Sequence, residues 1–336
     1  MKLLEAKKLI VGYDQCSLHD DALDFYWETG QLVCLLGPNG VGKSTLLRTL
    51  AGFQKPISGN ILWQGSNPKN LKPYQKATMM AFVSPHSLSP PHMCAYDVIK
   101  LGRYAFTGWL DRLETEDETI INEVVDQLEI GHLLFRTLDS LSDGERQRVE
   151  IARSLCQQAK ILILDEPTAF LDLPHKVQLM QTLQTICRKR QICVLMSSHD
   201  LDLSLGWADK ILLFSQFRQI LQGIPEQLVL SGEILKFSDE AFENWDLSSG
   251  YLKLTRKQSK SIVIEGPDSL QKTWTQRGLE RIGYAVSESI SDDLALVTIQ
   301  INSEHHTTKW GVHTNHGKHE FSSIEKLLNH LQAITE

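Results

Sequence analysis

A run of apolar residues, Leu32-Val33-Cys34-Leu35-Leu36, passes directly into Gly37-Pro38-Asn39-Gly40-Val41-Gly42-Lys43-Ser44-Thr45 and then into Leu46-Leu47-Arg48-Thr49-Leu50. No other stretch constrains the fold as tightly. Gly37, Gly42, Lys43 and Ser44 satisfy the spacing G-x-x-x-x-G-K-[ST], which works only between a buried strand and a helix. In that setting the loop's backbone N–H groups curl round a phosphate, and the helix N-terminus adds partial positive charge. Lys43 reaches the outer phosphates and Ser44 offers its hydroxyl to Mg²⁺, so the expected ligand of residues 37–45 is a nucleoside triphosphate with its magnesium ion. Leu46, Leu47 and Leu50 share one helical face, and Gly52 ends the helix.

The rest of the chain has to supply the sheet into which this strand fits. Residues 2–36 alternate apolar and polar positions around turn signals, which predicts short antiparallel strands ending in the buried run "QLVCLL". From about 86 to 160 the spacing is helical, most plainly in "IINEVVDQLEI" and "RVEIARSLC". "KILILDEP" and "ICVLMSSHD" then return as continuous apolar runs ending in carboxylates or histidine, as parallel strands do when both faces are covered. Ligands of such sheets gather at the C-terminal strand ends. Asp165 there is expected to hold Mg²⁺ through water, Glu166 to orient or deprotonate the attacking water, and His199 to donate to the γ-phosphate. Each has a plainer explanation, a helix start for the acids and a structural hydrogen bond for the histidine, but beside a phosphate loop the catalytic one is favoured.

"LSDGERQRVEIARSL", residues 141–155, opens a second helix with a glycine in its first turn. Ser142 and Glu145 form an S-x-x-E capping box, which by itself accounts for both. Gly144 remains unexplained, because a helix interior favours better formers. A bare backbone there admits close approach of an anion.

Taken in order, "GPNGVGKST", "LSDGERQRVEIARSL", "ILILDEPTAFLDL" and "SSHD" resemble the ATP-binding subunit of an ABC transporter over about residues 1–245. The resemblance implies an α/β P-loop NTPase core with an antiparallel β subdomain and a helical subdomain. It also implies a head-to-tail homodimer in which each ATP lies between one copy's phosphate loop and the other's signature helix. The glycine helix at 141–155 then serves the second copy's nucleotide. Carried over, Tyr13 matches the aromatic that stacks on adenine, Ser142, Gly144 and Glu145 match the signature, and Asp172 matches the loop that signals between the two sites. The usual LSGGQ reads LSDGE here, and the two added carboxylates are tolerable only if they point away or find donors, for which Arg146 and Arg148 are the candidates. The family's glutamine beside Mg²⁺ is replaced by Pro85, leaving Ser84 or His86 to substitute. "VIKLGRYAFTGWLDRLETED" resembles importers of iron chelates (siderophores, haem) and vitamin B12. The implied partners are membrane permease subunits and, indirectly, a substrate-binding protein, at the cytoplasmic face of the inner membrane. A non-transport ABC ATPase acting as a switch is the alternative, disfavoured by the single phosphate loop and the absence of a long heptad insertion. A structural module with a dead site is a third reading, against which Lys43, Asp165, Glu166 and His199 all stand.

Composition shifts near residue 250. Residues 250–336 alternate strand and helix patterns and predict a separate small α+β accessory domain, a regulatory or dimer-stabilising appendage. His305, His306, His313, His316 and His319 crowd one segment of it. Strand neighbours three apart face opposite sides, so a surface strand pair is expected in preference to a metal site. With 34 basic against 41 acidic residues and a formal charge of −7, nothing favours nucleic acid as a partner. The six cysteines form no CxxC pair and read as small core residues of a reduced cytoplasmic protein. Neither a secretory leader nor an apolar run of membrane-spanning length is evident.

Overall fold

The computed structural model describes residues 1–13, 16–85, 90, 92–107, 113–215, 218–236, 245–246, 251–252, 260–287, 297–304, 307–314 and 317–333. The chain divides into two compact units, Met1–Glu243 and Asn244–Glu336.

In the first unit the elements are β1 (Lys2–Ile10), β2 (Leu23–Glu28), β3 (Leu32–Leu36), α1 (Lys43–Leu50), β4 (Ser58–Trp63) and β5 (Met80–Val83). The helices α2 (Ala95–Lys100), α3 (Thr115–Gln127) and α4 (Asp143–Cys156) follow. Then come β6 (Ile161–Leu164), α5 (Leu173–Arg190), β7 (Cys193–Ser198), α6 (Leu201–Trp207), β8 (Lys210–Phe214), β9 (Ile220–Gly223) and α7 (Pro225–Leu230).

Two sheets result. A six-stranded sheet runs in the order β9-β8-β3-β7-β6-β5, and every pairing is parallel except that of β9 with β8. β3, β6 and β7 are buried at every position, as their unbroken apolar runs require. A three-stranded antiparallel sheet, β2-β1-β4, shows the alternating burial of a sheet covered on one face. One sequence expectation is corrected here: "QLVCLL" does not close the antiparallel set but forms the third strand of the six-stranded sheet, because its residues bury both faces. Leu46, Leu47 and Leu50 are at most 1% exposed and join one core with Trp27, Trp63, Leu35 and Leu195. Each contributes roughly 1.5–3 kcal/mol as an upper estimate. The Trp63 indole donates to the Leu50 carbonyl at 3.0 Å, which satisfies an orphan acceptor at the end of α1 and ties the antiparallel sheet to that helix.

The helical segment is held by a buried arginine. Arg103 donates through Nε to Asp117 (2.8 Å) and through Nη1 to the Cys156 carbonyl (2.8 Å) and Gln158 (3.0 Å), joining the starts and ends of three helices. The expectation of six core cysteines needs amending: Cys34, Cys156, Cys187 and Cys193 are buried, whereas Cys16 is exposed and Cys94 partly so.

The second unit carries its own core. β10 (Lys260–Glu265), α8 (Leu270–Arg281) and β11 (Tyr284–Ser287) form a parallel strand-helix-strand turn. β12 (Val297–Glu304), β13 (Thr307–Thr314) and β14 (Gly317–Phe321) extend the sheet to the order β11-β10-β12-β13-β14, and α9 (Ile324–Ala333) follows. Ile262, Ile299, Val312, Leu279 and Leu327 are fully buried between sheet and helices. The Trp310 indole donates to the buried Thr275 hydroxyl at 2.8 Å.

Candidate functional site

Register brings the chemistry together. Leu36 pairs with Ser198, Leu164 with Met196 and Val83 with Leu164, so the loop at 37, Ser84, Asp165 and His199 all leave adjacent strands on the same edge of the sheet. The Asp165 N–H continues the ladder by donating to the Val83 carbonyl at 2.9 Å.

The loop from Gly37 to Gly42 has a shape that side chains would forbid. A Cβ on Gly37 would lie 2.7 Å from the Phe214 carbonyl oxygen, and its φ of 152° is one L-residues avoid. Gly42 caps α1 at φ 106°, and a Cβ there would meet Leu18 at 2.6 Å. No side chain caps this helix, so its first-turn N–H groups, which have no intrahelical acceptor, are left for a ligand. Pro38, Asn39, Gly40 and Val41 line the turn, with Asn39 and Gly40 exposed.

Lys43 is buried, and its ammonium donates to the carbonyls of Gly37 (2.7 Å) and Pro38 (2.8 Å). Burial pulls Lys43 below the ordinary lysine range, against the opposing pull of Glu166 and Asp165. The Ser44 hydroxyl donates to Asp165 Oδ1 at 2.9 Å, so these two oxygen groups, hard donors of the kind Mg²⁺ takes, stand side by side. The Thr45 hydroxyl lies 3.2 Å from that of Tyr13, a half-exposed ring beside the start of α1.

Ser197, which sequence reasoning passed over, is the hub of the acidic pair. It is fully buried, donates to Asp165 Oδ1 at 2.7 Å, and accepts the Glu166 N–H at 2.8 Å. Glu166 sits at φ 50°, a left-handed conformation that costs a non-glycine residue about 1–3 kcal/mol and is held by that bond. His199 is exposed at the end of β7. Ser84 and Pro85, both partly buried, leave β5 beside Asp165 and Glu166; Pro85 brings no side-chain donor or acceptor, and His86 lies outside the described residues.

At the start of α4 the capping box is present: Ser142 Oγ accepts the Glu145 N–H at 3.3 Å, and Glu145 Oε2 accepts the Ser142 N–H at 2.8 Å. Of the two candidate donors for the extra carboxylates, one is found and one is replaced. Arg146 approaches Asp143 at 3.7 Å, but the partner of Glu145 is Arg136, at 3.1 Å, and not Arg148. A Cβ on Gly144 would lie 2.6 Å from Leu171 Cδ2, the end of a partly exposed side chain that can move aside. Asp172 caps α5, accepting the His175 N–H at 3.1 Å, and this bond together with the His175 ring holds its carboxyl below the usual range.

In the second unit His313 and His319 stand on the paired strands β13 and β14, and the His319 ring lies 5.1 Å from that of His330. No cluster of three or more metal-ligating side chains occurs among the described residues; His305, His306 and His316 fall outside them. No helix among the described residues is long and apolar enough to cross a membrane.

Residues 21–169 match the ABC transporter family and residues 259–332 match the iron ABC transporter C-terminal domain. The chain is 35% identical to an uncharacterised ABC transporter ATP-binding protein of Methanocaldococcus jannaschii, over 79% of its own length and 92% of the relative's. It is 31% identical to the achromobactin transport ATP-binding protein CbrD of Dickeya dadantii, over 68% and 85%. A solved chain from an ABC transporter described as of metal-chelate type, in an inward-facing conformation, superposes with a TM-score of 0.61 at 28% identity, covering 70% of this chain and 88% of that one. A phosphate loop and an acidic strand end on one parallel sheet, a capped glycine helix and these matches together show that the chain belongs to the ABC transporter ATP-binding proteins.

Proposed function

We propose that the chain is the ATP-hydrolysing subunit of an importer for an iron chelate of the siderophore type, working at the cytoplasmic face of the membrane against permease subunits. The iron-transporter domain matched at 259–332 and the achromobactin and metal-chelate relatives support the substrate class. They also weigh against a non-transport switch. The observation that carries the catalytic reading is the chain of hydrogen bonds Ser44–Asp165–Ser197–Glu166 beside the phosphate loop.

The residues present fit MgATP. The capless start of α1 and the Lys43 ammonium would hold the phosphates, and Tyr13 the adenine face. Ser44 and Asp165 would hold Mg²⁺, the latter through water. Bound magnesium neutralises charge that develops on the phosphate oxygens. Glu166, directed by the backbone bond to Ser197, takes the proton of the attacking water. His199, exposed at the neighbouring strand end, donates toward the γ-phosphate. Two copies arranged head to tail complete each site with Ser142, Gly144 and Glu145, and Asp172 relays the state of one site to the other.

Glu166→Gln tests this. It removes the base and leaves the phosphate contacts, so ATP binding persists while turnover falls on the order of 10²-fold or more, and a dimer accumulates with MgATP. Turnover at the parent rate overturns the assignment.

A further inference from the structure

Asp143 and Glu145 occupy the first turn of α4, where a helix N-terminus otherwise attracts anions. Uncompensated, both would repel a phosphate approaching that end. Asp143 is mostly exposed and only loosely paired with Arg146, an arrangement that contributes little. Glu145 is gripped. Its Oε2 accepts the Ser142 N–H (2.8 Å) and the Ser142 hydroxyl (2.9 Å), and its Oε1 accepts Arg136 Nη1 (3.1 Å). The second arm of Arg136 donates to the Ser140 carbonyl, which pins the guanidinium between the approach loop and the helix. The Ser142 N–H above all, with the Ser142 hydroxyl and Arg136, keeps the Glu145 carboxyl below its ordinary range despite partial burial, so it is ionised at neutral pH.

A serine hydroxyl has one proton, and that of Ser142 is directed at Glu145. It can turn to a phosphate only if the carboxylate it leaves is stabilised by another donor. We propose that Arg136 is a positioning residue of the shared nucleotide site: by compensating Glu145 it releases the Ser142 hydroxyl toward the triphosphate held by a second copy and cancels the charge that would repel it. This rests on the reading that two copies close over ATP.

The test is a double-mutant cycle on the full chain carrying Glu166→Gln, with MgATP-driven dimerisation followed by sedimentation at low and high salt. Arg136→Gln keeps a donor for the Ser140 carbonyl and removes the charge; Arg136→Ala removes both. Either is expected to weaken the dimer about tenfold, an effect of unit charge near contact that shrinks as salt rises. Glu145→Gln sets its own baseline for the dimer, and against that baseline the Arg136 changes cost less than about twofold. An equal cost in both backgrounds means Arg136 merely braces the loop, and overturns the proposal. A Glu166→Gln protein that stays monomeric with MgATP overturns the two-copy site itself and this role with it. Should the alanine variant unfold, the glutamine variant carries the cycle.

Discussion

Replacing Ser197 with alanine removes one oxygen atom from the centre of the acidic pair. Asp165 loses the shorter of its two hydroxyl donors, at 2.7 Å against 2.9 Å from Ser44. A hydrogen bond to a charged acceptor is worth about 1.5–3 kcal/mol. The Glu166 N–H loses the acceptor that fixes its left-handed backbone, leaving an unsatisfied donor that costs about 1–3 kcal/mol. With water recovering part of the second loss, the variant should be destabilised by about 2–5 kcal/mol, or roughly 5–15 °C in melting temperature for a unit of this size. The functional effect is separable. Lys43 and the glycine loop are untouched, so the KM for ATP should hardly move. The Glu166 carboxylate, freed to drift by a fraction of an ångström, should lose roughly 10- to 100-fold in kcat. Steady-state ATPase assays and thermal melts of parent and Ser197→Ala, with and without nucleotide, supply both numbers. Parent values of kcat and melting temperature together would refute the argument that Ser197 organises the pair.

Gly37→Ala places a Cβ 2.7 Å from the Phe214 carbonyl, a contact backbone must move to relieve, and nucleotide affinity should fall more than about tenfold; fluorescent-nucleotide titration reads it. Asp117 is raised by burial but lowered more by the Glu114 N–H and Arg103, and its net shift is downward. Its stabilisation is therefore present above the unfolded carboxyl range near pH 4 and is lost as pH falls through the lower folded value, so Asp117→Asn should flatten the acid limb of a pH-dependent denaturation curve below about pH 4. Thr275→Val keeps the shape of the second unit's core but strands the Trp310 indole N–H, and should cost about 1–3 kcal/mol, seen as faster hydrogen exchange in β13 of the full chain.

The phosphate loop was legible because its chemistry is written in contiguous residues whose flanks announce strand and helix. The placement of Asp165, Glu166 and His199 at strand ends was legible because each follows a short run that is mostly apolar. Ser197 was not: a serine two residues before a histidine carries no pattern, and only the pairing of Leu164 with Met196 sets it beside Asp165. The signal lay in taking "SSH" as a strand end next to "LDE" and asking which hydroxyl faces the acid. Arg136 was hidden by a turn at Leu138–Ser140 that folds it back onto Glu145, nine residues on. Periodicity misplaced "QLVCLL", since burial on both faces erases the alternation that would tell an antiparallel strand from a parallel one. β11 is four residues long and β14 is almost wholly exposed, so neither left a hydrophobic trace.

The pairing of Leu36, Val83, Leu164 and Ser198 along one sheet edge has a consequence for how such a chain can vary in length. Adding or deleting one residue inside Ile161–Leu164 would turn every following side chain to the opposite face and exchange the directions of the two acids. Connections far from that edge, such as the turn at Gln64–Ser66, have no such bookkeeping to respect. Reporter insertions should therefore be tolerated there and abolish hydrolysis within any of the four strands, however conservative their composition.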